Sequence, residues 1–418
     1  MGILVAHRKS RRSRAGGVLA CGVLAAACSL AHATSYDFSI DLRAVDSNGR
    51  NSYLDSGLGK LRYDEDDSGL HLGRLRAAID QPLGEVFALH ADASSWGDDD
   101  KNPIDLTEAY LEYKPYPVAG FRTRARLGAF YPPMSLENRA AGWATPYTLT
   151  PSVISSWLGE EIRTIGLEGQ VDWLGTRMGH SFDLQFTGAL FGWNDPAGTM
   201  FMLNGFVLDD RQTTLFGRVG RPSGDPEEPK REMFHEMDHR PGYYVGGQLR
   251  YLDRAVLDVL HYDNRGDPTV YVETLENYAW DTKFDAAALR VETSRGWTVL
   301  LQWLDGSTVV EPNNFHLQWD FNSKSALLAK SFGHHLLSAR YDSFDVKKGL
   351  RWSNPGNEDG HAWTAAYSFE PNNTWRFMLE WLRVSGDVKA RPVNLGEPAL
   401  AIETKVELSV RYSISGQF

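Results

Sequence analysis

The sequence predicts an all-β protein, a transmembrane antiparallel β-barrel, from three observations: its last strand, its repeated alternating segments and its pattern of connections. In residues 408–418 the apolar side chains fall on one face of a strand, the polar ones fall on the other, and the chain ends on Phe418. The last residues of a soluble domain are usually frayed and polar. Alternation up to a terminal aromatic residue is instead typical of a strand between lipid and a wet lumen.

The second observation is the recurrence of alternating segments of about ten residues, long enough to cross a bilayer as tilted strands. We predict sixteen strands, at 36–46, 70–80, 84–94, 105–114, 121–130, 161–171, 180–190, 243–252, 254–263, 280–291, 296–304, 322–331, 334–344, 361–370, 373–384 and 403–418. Residues 213–220 could form another strand, but one more strand would invert the phase of the turns. We therefore place them in an external loop, and eighteen strands remain possible if a second segment there pairs with them.

The third observation is that short connections alternate with long ones. The short connections include 81–83, 252–253, 331–333 and 371–372, and the long ones 47–69, 131–160, 191–242, 264–279, 345–360 and 385–402. Outer-membrane barrels have short periplasmic turns, long external loops, an even strand number and both termini in the periplasm. A secreted β-sandwich or propeller, the soluble alternative, has no reason to alternate its loop lengths in this way.

The N-terminus predicts export. Five basic residues precede an apolar run at 16–30, and Ala31-His32-Ala33 supplies a small-x-small cleavage site. We predict that residues 1–33 are a cleaved signal peptide and that 34–418 form the barrel, in a Gram-negative outer membrane after secretion through the inner membrane. Both cysteines lie in the removed segment, so the mature chain can form neither a disulfide nor a cysteine-bound zinc site.

Charge and hydropathy narrow the function further. Without the leader, 38 of the 43 Lys and Arg remain against 54 Asp and Glu, a net charge of −16. Such an acidic chain is a poor candidate for nucleic-acid binding. No stretch after residue 33 is apolar over about 18 residues, which argues against a helical membrane protein. The 49 aromatic residues fit the girdles of a membrane barrel.

Arginines at alternate positions point to the lumen. Arg122, Arg124 and Arg126 share one face of a predicted strand, and Arg74 and Arg76 repeat the spacing on an earlier one. Guanidinium groups facing lipid would cost several kcal/mol, so the lumen is the tolerable side. There they could concentrate anions and bind carboxylate or phosphate groups.

A second interpretation is that these arginines pair with acids on neighbouring strands, for which Glu108 and Glu112 are well placed. The loop at 131–160 follows the arginine strand and could fold into the barrel, with Glu137 or Glu160 facing the arginine wall; alternatively it is an ordinary capping loop. The residues that we predict to line the pore are Arg74, Arg76, Glu108, Glu112, Arg122, Arg124, Arg126, Glu137, Lys283, Arg340 and Lys405.

A family resemblance rests on the segment RLGAFYPPMSLE at 126–137. It resembles the Gly-x-Phe/Tyr-x-Pro-Phe-x-Leu-Glu region of the phosphate-selective porin O and P group. The resemblance implies a sixteen-stranded, trimeric porin that admits small hydrophilic solutes or ions passively, with a general or anion-preferring pore. Because the predicted lumen mixes bases with acids such as Asp41, Asp183, Asp258, Asp285 and Glu407, phosphate selectivity does not carry over.

The remaining motifs concern insertion, lipid and metal. Tyr412, Ile414 and Phe418 are the predicted signal for the barrel-insertion machinery. The acidic runs at 64–67 and 98–100 are interpreted as solvated charge in external loops, and the alternative is a divalent cation that bridges them to lipopolysaccharide phosphates. Residues 235–239 match the zinc-hydrolase pattern H-E-x-x-H. That chemistry needs a helix and a third ligand, and the surrounding prolines leave little room for one, so we interpret the match as chance.

These features predict a porin and no catalytic residue, metal ligand or cofactor. A rival from another class is a barrel lipase or protease, which would need a Ser/His/acid set at the membrane edge. Two further alternatives are an uptake channel specific for one substrate class and a structural barrel with a closed lumen.

Overall fold

The computed structural model describes residues 33–97, 104–220, 230–348 and 357–418. The strands of the barrel are β1 Ser35–Ser47, β2 Gly69–Leu83, β3 Phe87–Ser95, β4 Asp105–Tyr113, β5 Phe121–Phe130, β6 Thr164–Trp173, β7 Phe182–Gly192, β8 Gly242–Tyr251, β9 Ala255–Asp263, β10 Asp281–Glu292, β11 Trp297–Val310, β12 Leu317–Phe332, β13 His335–Lys348, β14 Glu358–Phe369, β15 Trp375–Val388 and β16 Leu400–Gln417. Each strand pairs with its neighbours in the chain, and β16 pairs with β1 to close the barrel.

Helical structure is confined to the connections. The α-helices are α1 Val153–Glu161, α2 Thr199–Leu203 and α3 Arg391–Asn394, and the 3-10 turns are Tyr53–Asp55, Ala141–Trp143, Gly175–Met178 and Pro312–Asn314. Within the described ranges, none of these helices has the length and apolar character of a membrane span.

The sixteen predicted strands are confirmed, and the eighteen-strand alternative is wrong. The segment at 213–220 contributes only Arg218–Val219, which pairs with Arg231–Glu232 in a two-residue hairpin outside the barrel. A second such hairpin joins Tyr271–Val272 to Asn277–Tyr278. The predicted signal peptide, apart from Ala33, and the acidic run at 98–100 lie outside the described residues.

Closure of the barrel places the first strand beside the last. The register between β1 and β16 runs from Ser35 opposite Gln417 to Ser47 opposite Lys405, and the Thr34 amide donates to the Phe418 carbonyl at 2.9 Å. The two faces of β16 alternate as predicted. Leu408 and Ile414 are exposed on the outside, whereas Glu407 and Ser409 are buried on the inside.

The strands from β11 to β16 extend further at their external ends than the hydrophobic pattern predicts. β11 continues to Val310 instead of 304, and β12 begins at Leu317 instead of 322. Carboxylates replace apolar residues on the outer face here, yet backbone pairing continues beneath them. The alternation of hydrophobicity therefore marks the edge of the predicted lipid zone and not the end of the ladder. These outward carboxylates are Asp285, Asp305, Asp345, Asp359 and Asp387.

Three long connections enter the lumen, and we name them loop L1 (48–68), loop L3 (131–163) and loop L4 (193–241). Their apolar side chains form one core with the inner faces of the wall strands. Tyr53 of L1, Trp157 of L3 and Phe206 of L4 are fully buried in it, as are Phe284 and Phe321 of the wall. The loops therefore fill much of the external half of the barrel with a packed interior rather than water.

Phe418 offers a direct test of the insertion signal. Its side chain is 77% exposed and meets Tyr36 with ring centroids 6.0 Å apart, so it contributes little packing to the fold. We expect Phe418→Ala to lower the amount of barrel in the outer membrane severalfold while leaving refolding into detergent unchanged. Tyr116→Ala, in an exposed short turn between β4 and β5, is the matched control. Equal membrane levels of the two variants would show that Phe418 carries no insertion signal.

Candidate functional site: a constricted lumen lined by arginines

Loop L3 crosses the lumen and is fixed to the wall opposite its origin. It leaves β5, and it is held by Arg340 of β13, eight strands further round. The Arg340 guanidinium donates to Thr148 Oγ1 at 3.0 Å and to the carbonyls of Thr150 and Pro151 at 2.7 and 2.8 Å. It also lies 3.2 Å from the Glu137 carboxylate, and neither side chain is exposed. The prediction that this loop folds into the barrel agrees with this geometry.

Other wall residues satisfy the backbone of L3. The Glu380 carboxylate of β15 accepts from the amides of Leu149 and Thr150, and Asp342 accepts from the amide of Val153. Buried backbone groups need such partners, since an unsatisfied amide is costly. The loop is therefore bound to β13 and β15 by charge-assisted hydrogen bonds rather than by packing alone.

Helix α1 anchors the end of L3 in the apolar core. All nine of its residues are buried, and Trp157 packs against Phe201, Phe284 and Phe321 with centroids 4.8 to 5.3 Å apart. Such a tryptophan contributes roughly 3–5 kcal/mol to a packed interior. L3, L4 and the wall from β10 to β12 therefore form one unit at this level.

The three arginines of β5 face the lumen as predicted, and each has a carboxylate partner. Arg124 meets Glu112 of β4 at 2.5 Å. Arg122 meets Asp172 at 2.5 Å and Arg126 meets Glu168 at 2.7 Å, both acids belonging to β6. Sequence reasoning identified Glu112 but missed the β6 acids, although Glu168 and Asp172 alternate on one face of their strand.

Arg74 differs from these paired arginines. It donates to Ser94 Oγ and to the carbonyl of Gly142 in L3, and among the described residues no carboxylate lies within 4.0 Å of it. Its neighbour Arg76 pairs with Asp92 at 2.6 Å. Gly142 has φ +64°, and a β-carbon there would overlap both guanidiniums. Only glycine lets the loop backbone approach the arginines this closely.

A narrow cavity lies where L3, L4 and the wall meet. Its lining includes three arginines, Arg74, Arg211 and Arg411, with Asp210 as the carboxylate, and its volume is about 20 Å³. That is room for about one water molecule. Arg211 is paired with Glu160 and Arg411 with Asp41. On the cavity lining itself three arginines therefore stand against one aspartate, while the carboxylates of Glu160 and Asp41 compensate two of those arginines.

Several predicted placements need correction. Lys283 and Asp285 lie on the outer face of β10, because Thr282 and Phe284 on the other face pack into the loop-filled lumen. The hydrophobic face of this strand thus points inward above the predicted lipid zone. Glu137 and Glu160 do not face the β5 arginines, since they pair with Arg340 and Arg211.

Two further predicted pore residues, Glu108 and Lys405, have partners in L3 and on the wall respectively. Glu108 pairs with no arginine of β5 and instead accepts the Tyr131 amide at 3.1 Å. Lys405 is buried on the inner face of β16 and meets Glu407 at 3.0 Å.

The zinc-hydrolase pattern at 235–239 is not helical. His235 bonds to Glu232 at 2.5 Å, and His239 has φ +62° in an irregular stretch of L4. Because the two histidines of that motif must share a helix face, these residues cannot form such a centre. Glu236 and Asp238 gather with Asp195 instead, and all three carboxylates accept backbone amides.

Two buried acids of the loops predict a pH effect. Burial raises the pKa of Glu161 in L3 and of Asp195 in L4 to about 7 each. A raised folded-state pKa means that their contribution to stability is full below about pH 4 and is lost as pH rises through about 7. We expect the thermal midpoint to fall between about pH 5 and about pH 8, and Glu161→Gln with Asp195→Asn to reduce that fall. An equal fall in the double variant would contradict this assignment.

Comparison with known proteins identifies the fold. No known family model and no curated protein matches the sequence. Solved structures do match: the outer membrane channel DcaP of Acinetobacter baumannii has a TM-score of 0.55 at 10% identity, covering 91% of this chain and 96% of that one. A loop-deletion mutant of OmpT, an outer membrane protein of Vibrio cholerae, has a TM-score of 0.53 at 12% identity, covering 92% of this chain and 100% of that one.

These matches define a class. The chain has the closed sixteen-strand antiparallel barrel found in bacterial outer-membrane porins and channels. At identities this low the likeness concerns the fold. It gives no support for the phosphate-selective porin O and P group in particular.

Proposed function

We propose that this chain is an outer-membrane channel through which small hydrophilic anions diffuse passively. A sixteen-strand barrel is wide enough to hold an aqueous path. The observation that carries the proposal is the cavity lined by Arg74, Arg211 and Arg411 against a single aspartate, Asp210. In a narrow passage of low dielectric, such a lining attracts anions and repels cations.

The packing of L1, L3 and L4 inside the barrel favours a narrow, substrate-selective channel over a wide general pore. A solute must pass beside a wall-to-wall apolar core, so the charged strip along β1, β2 and β16 is the polar route available to it. Arg74 supports a role in that route because, in the described ranges, its guanidinium donates to the neutral oxygens of Ser94 and Gly142. A cation held without a carboxylate is suited to a passing anion.

We further propose that the apolar outer face contacts lipid, that the external acids face lipopolysaccharide, and that the protein assembles as a homotrimer. The exposed outer side chains of β5 to β8 support membrane contact, among them Leu127, Leu167, Phe186, Leu190 and Val245. The trimer rests on the sequence resemblance at 126–137. Cross-linking in native outer membranes tests it, with a three-subunit ladder expected.

Conductance across planar bilayers tests the channel function. We expect discrete open-channel currents. In a KCl gradient, the reversal potential should have the sign that reports preference for chloride over potassium. An enzyme of the barrel lipase or protease type would instead give folded protein without conductance. That result would overturn the proposal.

A further inference from the structure

We infer that Arg43 and Arg62 form a binding site for small carboxylate solutes, and that the carboxylate of Asp210 occupies this site as a tethered internal ligand. The site lies on the polar route of the proposed channel, and its role depends on that channel function. Asp210 belongs to L4, whereas Arg43 belongs to β1 and Arg62 to L1. L4 thus places its carboxylate between the wall and another loop.

The geometry is that of carboxylate recognition. Arg43 donates from Nη1 and Nη2 to the two oxygens of Asp210 at 3.0 and 2.7 Å. Arg62 Nη1 donates to the same carboxylate at 3.2 Å. A two-pronged guanidinium contact of this kind is specific for planar anions. The side chains of Arg43 and Arg62 are 1% and 3% exposed, so the contact is shielded from solvent.

The site separates two spaces along the lumen. On the external side, Arg62 lines a pocket of about 330 Å³ together with Trp96 and His71. On the inner side, Asp210 lines the narrow cavity of about 20 Å³. Arg62 and Lys230 are the basic residues of the larger pocket, which Asp55 and Asp67 also line, and Arg62 contacts the Asp210 carboxylate that lines the narrow cavity.

Arg74 gives the displaced carboxylate a second partner. It lines the same cavity as Asp210, and its guanidinium contacts Ser94 Oγ and the Gly142 carbonyl. Its Cζ also lies 4.9 Å from the Trp96 ring, next to the external pocket. Asp210 can therefore leave Arg43 and Arg62 and still have a cation as its partner. An unpaired buried charge would be costly.

The chemistry of the resident group identifies the ligand class. Arg43 also contacts the wall carboxylates of Asp41 and Glu407 at 3.0 and 3.6 Å, so Asp210 is the one acid here that a loop supplies. A solute with a small terminal carboxylate can take the place of that loop carboxylate. Succinate is a suitable probe because each end presents such a group. In the intact protein, Asp210 competes with it.

The test compares Asp210→Asn with wild type in planar bilayers, with sodium succinate added to a chloride solution. Loss of the internal competitor should lower the succinate concentration for half-maximal block of the chloride current roughly tenfold, as expected for removing charge-assisted hydrogen bonds. Asp66→Asn, which removes an exposed acid of L1, is the matched charge control. Its succinate block should equal that of wild type. Arg62→Gln should raise the blocking concentration.

The outcomes separate this site from the channel itself. Absence of current in every folded variant would overturn the channel function. Normal current with the same succinate block in wild type, Asp210→Asn and Asp66→Asn would show that Asp210 only anchors L4, and would overturn the site. If Asp210→Asn does not fold, wild type is compared with Arg62→Gln instead. Equal succinate block in these two proteins also overturns the proposed site.

Discussion

Replacing Arg340 by alanine is expected to release loop L3 from the far wall and raise the single-channel conductance severalfold. The guanidinium is fully buried and holds the loop through the carbonyls of Thr150 and Pro151. Its loss also leaves the carboxylates of Glu137 and Asp342 without their cation. Breaking such a buried pair costs roughly 3–5 kcal/mol, enough to free the loop while the strand ladder persists.

The control for this prediction is Arg254→Ala, which removes the same charge from an exposed periplasmic turn. Its conductance and thermal midpoint should equal those of wild type. The conductance of Arg340→Lys should lie between those of Arg340→Ala and wild type, since lysine keeps the charge but cannot span the same acceptors. An unchanged conductance in folded Arg340→Ala protein would mean that L3 does not limit the path.

The second large effect concerns ion preference. Replacing Arg122 and Arg124 by alanine uncovers Asp172 and Glu112, so the lumen loses two cations and gains two unpaired carboxylates. We expect the reversal potential to move strongly toward cation preference. The Arg124–Glu112 pair, with side chains 29% and 19% exposed, contributes at most about 1 kcal/mol to stability, whereas the loss of Arg122 should destabilise more because the Asp172 side chain is only 5% exposed.

The partner acids provide a control of opposite sign. Asp172→Asn with Glu112→Gln leaves both arginines unpaired and should move the reversal potential toward anions. Adding Arg126→Ala to the first double variant should destabilise the barrel by roughly 3–5 kcal/mol as well, because Glu168 is 1% exposed. Equal reversal potentials in both double variants would show that the β5 arginines lie off the permeation path.

The strands and the faces of β16 follow from the sequence because a barrel between lipid and water imposes a period of two on both faces. That rule fails where its physical cause is absent. Above the predicted lipid zone, the outer face of β10 carries Lys283 and Asp285 while Phe284 points inward, so polarity no longer identifies the lumen. The position of β10 is therefore predicted correctly, but the prediction of which of its faces points into the lumen is wrong.

The ion pairs and the loop core depend on contacts between distant segments. Alternation shows that Arg126 faces inward but cannot tell whether its partner lies on β4 or β6. The anchoring of L3 by Arg340 joins residues about 200 positions apart in the chain, for which a single sequence gives no signal. L4 looked like an ordinary external loop because its buried residues, such as Phe206, follow no regular period.

The central claim is that the arginine-lined constriction makes this barrel an anion-preferring channel. The most direct measurement is the reversal potential of the purified wild-type protein in a planar bilayer under a KCl gradient. We expect open-channel currents with a reversal potential that reports preference for chloride. A preference for potassium, or no conductance from fully folded protein, would contradict it.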